Sequence, residues 1–420
     1  MSSRLSISQR SCASMLSALA AFTMAAPDIA MADQYDSLNF SLGAALRYDD
    51  NLFRLSDSIS PQLAIGNSNK SDRILTTNAG IKINKLYAQQ IFQINATLLD
   101  NSYNTFSYLD YKAFNYSVAW LWHLTPYVSG VASTDQQQVL NNFADFRGLN
   151  NQINRTQSIQ TTNKRLFNID GLIGGGIHLL GGVSEFTSSN SQNFDAVGNY
   201  TQDGFEFGIK YVAPSENSIS LIHRESKGDF GRTANPFNQL DSGFKQSETE
   251  AQLNMRLSGK SAIVGRLGYL DRKHDNFSSR DFDGINGSIS YNWQPTGKIT
   301  VNSSLTRSYS SYQQFINSYY ISDTFSVGPI WQTTAKTSVR LRYDYSNRNY
   351  FGSLIPLPEL RKEDVQLFLI EADWNPTRTI QVSGVLQHED RKSNSNNFNG
   401  LGGDINYNAN SATISAQLLF

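Results

Sequence analysis

One cysteine stands in the whole chain, Cys12, and it falls in the amino-terminal segment expected to be removed on export. The mature protein is therefore expected to hold neither a disulfide nor a thiolate metal site. Ser8-Gln9-Arg10-Ser11 ahead of it is not a lipoprotein signal. Charge is scarce too. Only 17% of the 420 residues are charged and the net charge is -1, which leaves no basic footprint for nucleic acid. Long apolar runs are missing and the mean hydropathy is negative, which excludes a bundle of membrane-spanning helices. The histidines outside position 274 (His123, His178, His223, His388) are isolated, so no metal or other cofactor is expected. No Gly-x-Ser-x-Gly elbow and no phosphate loop opening a helix occurs. The chain is not expected to be an enzyme.

Alternation is what the chain has in abundance. From Ala412 to Phe420 every second residue is apolar, with Thr413, Ser415 and Gln417 between. Period two places one face of a strand in oil and the other in water. Ile414, Ala416, Leu418 and the terminal Phe420 resemble the signal by which barrel-assembly machinery recognises outer-membrane barrels. Leu38, Phe40, Leu42, Ala44, Leu46 and Tyr48 alternate in the same way, as do Phe114 to Leu124, Ala251 to Leu257 and Val339 to Tyr345. An open sheet edge is not tolerated in a bilayer, so the strands must close. Ahead of them, Arg4, Arg10, the apolar stretch 13–26 and Ala30-Met31-Ala32 read as a cleaved secretory signal over residues 1–32. Residues 33–420 are then one barrel domain in the bacterial outer membrane, with its lipid as the first partner.

Short turns are expected at Lys85–Gln89, His123–Pro126, Ile177–Leu179, Ala213–Asn217, Ser258–Lys260, Gln294–Lys298, Gln332–Lys336 and Asn375–Arg378. Long polar connections alternate with them, the longest at 138–163. This rhythm gives an all-β, antiparallel, up-and-down barrel of about eighteen strands, sixteen being the nearest alternative. Short turns face the periplasm and long loops the exterior. All five tryptophans (Trp120, Trp122, Trp293, Trp331, Trp374) precede short turns on the apolar face, as in a periplasmic aromatic girdle. The opposite faces put Arg47, Lys82, Glu206, Lys210, Glu248, Glu250, Arg256, Arg266, Arg340, Arg342, Glu371 and Asp373 in the lumen. Such charges either brace the wall in pairs or bind a hydrated solute. Asp49-Asp50 and His274-Asp275 could suggest a barrel protease, but their flanking residues read as solvated loop ends.

Four segments resemble the EpsL-type outer-membrane proteins linked to exopolysaccharide and exosortase genes. They are Leu46-Arg47-Tyr48-Asp49-Asp50-Asn51-Leu52-Phe53-Arg54, then Asn115 to Trp120 running into His123-Leu124-Thr125-Pro126, then Gly174-Gly175-Gly176 leading to Leu179-Leu180-Gly181-Gly182-Val183, and Asp275 to Phe282. The resemblance implies a passive conduit in exopolysaccharide export or surface assembly, with the polysaccharide and periplasmic export components as partners. The residues alone also allow a diffusion porin for small solutes, or a closed barrel that anchors surface polysaccharide. Something must narrow so wide a barrel. The 138–163 loop is expected to fold inward, Phe143 and Phe146 packing away from water and Arg147 meeting a lumen carboxylate.

Overall fold

A computed structural model describes residues 38–145, 155–192, 199–237, 240–311, 317–353, 359–394 and 404–420. The signal segment, Phe146 and Arg147 lie outside them. Eighteen strands form one antiparallel sheet that closes on itself. In order they are β1 (Leu38–Asp49), β2 (Asp72–Tyr87), β3 (Gln90–Tyr103), β4 (Tyr111–Thr125), β5 (Val128–Leu140), β6 (Ile159–Gly174), β7 (Ile177–Asn190), β8 (Tyr200–Val212) and β9 (Ser218–Asp229). The second nine are β10 (Gly243–Ser258), β11 (Ser261–His274), β12 (Phe282–Thr296), β13 (Ile299–Ser311), β14 (Tyr319–Thr334), β15 (Thr337–Phe351), β16 (Lys362–Trp374), β17 (Ile380–Ser393) and β18 (Tyr407–Leu419). Each pairs with its neighbours in sequence, and β1 pairs with β18 from Ser41↔Leu419 to Asp49↔Ser411. The seam ends on reciprocal backbone bonds between Phe40 and Phe420 of 3.0 and 2.9 Å.

Exposure alternates with the same period as hydropathy, but inverted relative to a soluble sheet. Phe205, Phe207, Ile209 and Tyr211 of β8 are 45–56% exposed, whereas Glu206 between them is only 11% exposed at its side chain. The apolar face therefore points outward around the ring, and the polar face encloses the lumen. This is the architecture of an outer-membrane barrel.

Turns and loops segregate by length. Two residues join β2 to β3, β4 to β5, β6 to β7, β10 to β11, β12 to β13 and β14 to β15, while the other end carries connections such as 50–71 and 141–158. The turn expected at Ile177–Leu179 sits instead at Gly174–Gly176, and Ile177 already opens β7. Three glycines with φ of 128°, 60° and 78° make it possible. A Cβ on Gly176 would stand 2.3 Å from the Val212 carbonyl oxygen, so only glycine fits there. The strands also run further than their hydropathy suggests. Residues 138–140 and 159–163 belong to the β5–β6 ladder rather than to the loop. Beyond the bilayer neither face of a strand needs apolar residues, so the ladder continues after alternation has faded.

Over the long-loop end lies a packed apolar cluster: Leu52, Phe53, Leu55, Ile65, Phe106, Leu109 and Phe143, with Ile74 and Tyr103 from the strand ends. It unites the β1–β2, β3–β4 and β5–β6 connections. The hydrophobic core of this molecule is thus a lid over part of the mouth, not the centre of the barrel.

Candidate functional site

The inner wall carries charges in alternating sign. Arg224 of β9 bonds Glu206 of β8 at 2.7 Å and reaches Glu250 and Glu248 of β10 at 3.3 and 3.7 Å. Glu250 is 1% exposed at its side chain and also meets Arg266 of β11 at 3.4 Å. Three successive strand pairs are thus cross-braced, as register requires: Glu206↔Arg224 and Glu248↔Arg224 are directly opposed partners. A second group joins Asp170 to His178 at 2.6 Å and to Lys210. A third joins Arg340 to Glu371 at 3.0 Å and Arg342 to Asp344 at 2.8 Å, with Ser338 donating to Asp373 at 3.3 Å.

Three of the residues expected in the lumen are more exposed than the rest, Lys82, Arg256 and Arg342, the last 46% exposed at its side chain. Lys82, opposite Asn39, is solvent-exposed. Arg256 sits at the short-turn rim, 3.3 Å from Glu216, and both side chains are 66% exposed. Arg47 bonds Asp49 at 2.7 Å near the outer end. The reading of the sequence passed over Arg224 and Asp170 and set His178 aside as isolated, whereas it bonds Asp170. The same alternation that puts Leu221 outside puts Arg224 inside, so the signal for that residue was present.

At the mouth a larger ionic cluster ties a loop to the far wall. Asp145, five residues past the end of β5, meets Arg348 of β15 at 3.0 Å and Arg391 of β17 at 3.1 Å. Arg391 also donates to the Ala144 carbonyl at 3.0 Å and to both oxygens of Glu363 at 2.6 and 2.7 Å. Arg361 lies 2.5 Å from Glu363, and Tyr350 donates to it at 3.0 Å. β15 and β17 stand eight and six strands from β5 around an eighteen-stranded ring. Such a contact can be made only by a chain crossing the opening.

Burial alone would raise the Asp145 carboxyl, but Arg348 and Arg391 reverse it and hold the group below the usual carboxylate range. Phe143 packs on Phe53, ring centres 4.6 Å apart, as the inward-folded loop requires. The latch that the described residues show is a loop carboxylate on wall arginines. Arg147 itself lies outside the described residues.

The crossing loop divides the mouth. On its β17–β5 side lies the apolar lid. Arg54 reinforces it, bonding Asp49 at 2.8 Å and Glu389 at 3.3 Å, while Asn51 donates to the Asn408 carbonyl at 2.9 Å. On the other side stand Tyr200, Phe230 and Phe244, with the Arg272 guanidinium 3.9 Å over the Phe244 ring. Asp49 and His274, weighed together as protease residues, belong to strands on opposite sides of the ring.

Trp120, Trp293, Trp331 and Trp374 are 40–54% exposed near short turns, whereas Trp122 is 4% exposed. Trp122 stacks on Phe167 at 5.8 Å and covers Gly130, where a Cβ would lie 2.4 Å from its ring. It therefore packs flat against the wall instead of facing lipid. Ile414, Leu418 and Phe420 are outward and 44–65% exposed, and Ala416 shares their face.

A family model described as "Putative beta-barrel porin 2" matches residues 246–414, that is, β10 to β18. No curated protein matches the sequence. Among solved structures, OccAB3 of Acinetobacter baumannii superposes with a TM-score of 0.51 at 9% identity, covering 91% of this chain and 99% of that one. OccK2 (OpdF) of Pseudomonas aeruginosa gives 0.50 at 10% identity, over 92% of this chain and 98% of its own. At such identity the likeness is one of fold: that of outer-membrane porins. Neither the family model nor these structures carries the exopolysaccharide link implied by the EpsL resemblance; both fit the diffusion-porin alternative better.

Proposed function

We propose that this protein is a passive diffusion channel for small polar solutes, with an off-centre passage along the β6–β14 wall. The observation that carries this reading is the β5–β6 loop latched by Asp145 onto Arg348 and Arg391. A barrel meant to pass a polymer is poorly served by a chord across its mouth. A barrel meant to sieve small solutes needs one. Solutes on this route would meet the Arg224–Glu250 network, whose two signs favour hydrogen-bonding solutes over apolar ones.

Reconstituted in planar bilayers, the protein should show discrete conductance steps. Asp145→Asn should raise single-channel conductance about twofold or more, since the contacts to Arg348 and Arg391 both lose their charge and the loop can swing about its remaining ties at Phe143 and Ala144. Glucuronate, with which OccK2 has been crystallised, serves as a probe solute beside neutral sugars in liposome swelling. A folded barrel that is silent both with and without Asp145 refutes the channel. The depressed Asp145 group contributes stability above its unfolded pKa and loses it as pH falls through the folded value. Conductance should therefore stay flat through the ordinary carboxylate range and rise only below it.

A further inference from the structure

The passage has a charged flank and a neutral one. Register carries the inward face of Arg266 on β11 across the next strands as Arg266↔Ser288↔Thr306↔Thr324. The inward positions of β12 from Phe282 to Asn292, of β13 from Thr300 to Ser310 and of β14 from Tyr320 to Ile330 hold no charged residue. Most are serine, threonine or asparagine. The charges that these stretches do carry, Asp283, Arg307 and Asp323, have the outward parity, and Arg307 bonds Asp323 at 2.6 Å.

The flanks also differ in what they leave free. Glu206, Arg224, Glu250 and Arg266 are bonded to one another, and Arg266 ends the chain by donating to the Ser288 hydroxyl at 3.2 Å. Nearer the mouth, Arg272 donates to Gln246 at 2.9 Å. Beyond Ser288, the hydroxyls of Ser290, Ser304, Thr306, Ser308 and Ser326 meet no hydrogen-bond partner among the described residues. Ser304 and Ser326 are register partners, and Thr306 is the next inward residue after Ser304. Three free hydroxyls thus stand on two adjacent strands. The strands are about 4.8 Å apart, a distance that one sugar ring bridges.

This contrast selects the solute. A hydroxyl both donates and accepts, so the neutral flank matches a molecule that does the same at several neighbouring points. A sugar has many such points and a small amide few. An ion moving along that flank would shed hydration with no opposite charge to replace it, and the Glu206–Arg266 network is already matched within itself. We infer that the solutes are neutral saccharides and that Ser304, Thr306 and Ser326 select them, an inference that rests on the channel reading above.

The test uses the full chain in planar bilayers. KCl current reports the channel, and its concentration-dependent reduction by added lactose reports sugar binding. S304A/T306V/S326A should weaken lactose binding about tenfold, three net hydrogen bonds being lost, and leave the KCl current unchanged. Thr306→Val alone, which keeps the shape of the side chain, should weaken it about twofold. S304T/T306S/S326T keeps every hydroxyl and should retain binding, as should Ser303→Ala on the outward face of the same strand. Succinate and N-acetylalaninamide, an anion and a neutral amide without hydroxyls, should act alike on the wild type and the triple variant. Heat-shifted mobility checks that each variant is folded. Unchanged lactose binding in the folded triple variant and in Thr306→Val, or an equal loss in Ser303→Ala, overturns the inference. An equal loss for succinate or the amide overturns the solute class. A wild type without KCl current removes the channel reading, and this inference with it.

Discussion

Two loops at the mouth share one backbone design and bury opposite chemistry. Residues 104–110 join β3 to β4, and 275–281 join β11 to β12. Each carries a single 3-10 turn, Ser107–Leu109 and Ser278–Arg280. Asp110 accepts from the Tyr103 amide at 2.6 Å, and Asp281 from the His274 amide at 2.7 Å. An aspartate at or just before the start of the preceding outer-to-inner strand holds each loop's start: Asp72, which opens β2, accepts from the Thr105 and Phe106 amides at 2.8 and 3.0 Å, and Asp241, two residues ahead of β10, from those of Asn276 and Phe277 at 3.1 and 2.9 Å. The last residue of each turn is fully buried, Leu109 in one and Arg280 in the other.

The carboxylate-to-amide frame therefore holds whatever side chain the turn delivers. With Leu109 it closes an apolar lid. With Arg280 it stocks a cationic corner, where burial and nearby Arg232 push the guanidinium down to about 10. The two halves of the mouth differ through their guests, not through their scaffolds.

Exchanging the guests tests this, and the largest effect is expected for Leu109→Arg. It puts an unprepared charge among Leu52, Phe53 and Phe106 and should cost the lid about 4 kcal/mol. Limited proteolysis of the 50–71 connection should accelerate and conductance should rise while the barrel stays folded. An unchanged digestion rate would mean that the lid does not depend on its apolar guest.

Glu363→Gln comes next. It leaves Arg348, Arg361 and Arg391 crowded around a neutral amide, at a cost of about 3–5 kcal/mol. The denaturation midpoint should fall and the latch should loosen even though Asp145 is intact. The smallest effect is expected for Arg280→Leu, within about 1 kcal/mol of the wild type, because the frame already accepts leucine at the equivalent position. A loss as large as that of Leu109→Arg would show that Arg280 organises its half of the mouth.

The barrel was legible in the sequence because a bilayer enforces period two over long stretches, and Phe40 to Tyr48 or Phe205 to Tyr211 repeat it without a break. Strand number, turn asymmetry and the inward position of Glu206, Glu250 and Arg340 all follow from that one constraint. Legibility failed where the constraint stops. Gln138 and Thr161 pair above the bilayer, so the ladder outlasted the pattern. Trp122 kept the outward parity, but Gly130 made a space into which its ring could fall. The Arg348–Asp145–Arg391 contact joins residues more than two hundred positions apart, and no local pattern announces it. The Leu46–Arg54 segment, picked out as a family motif, proves to build the lid: Leu52 and Phe53 are its apolar core and Arg54 its tie to Glu389.

The latch also sets an order of events. Asp145 meets partners 203 and 246 residues further along the chain, so it has nothing to hold until β15 and β17 have joined the sheet. Contacts of such separation form late, after the shorter loops have closed. Until then a growing barrel has an untied β5–β6 loop, and protease access to that loop becomes a clock that stops when the ring is complete.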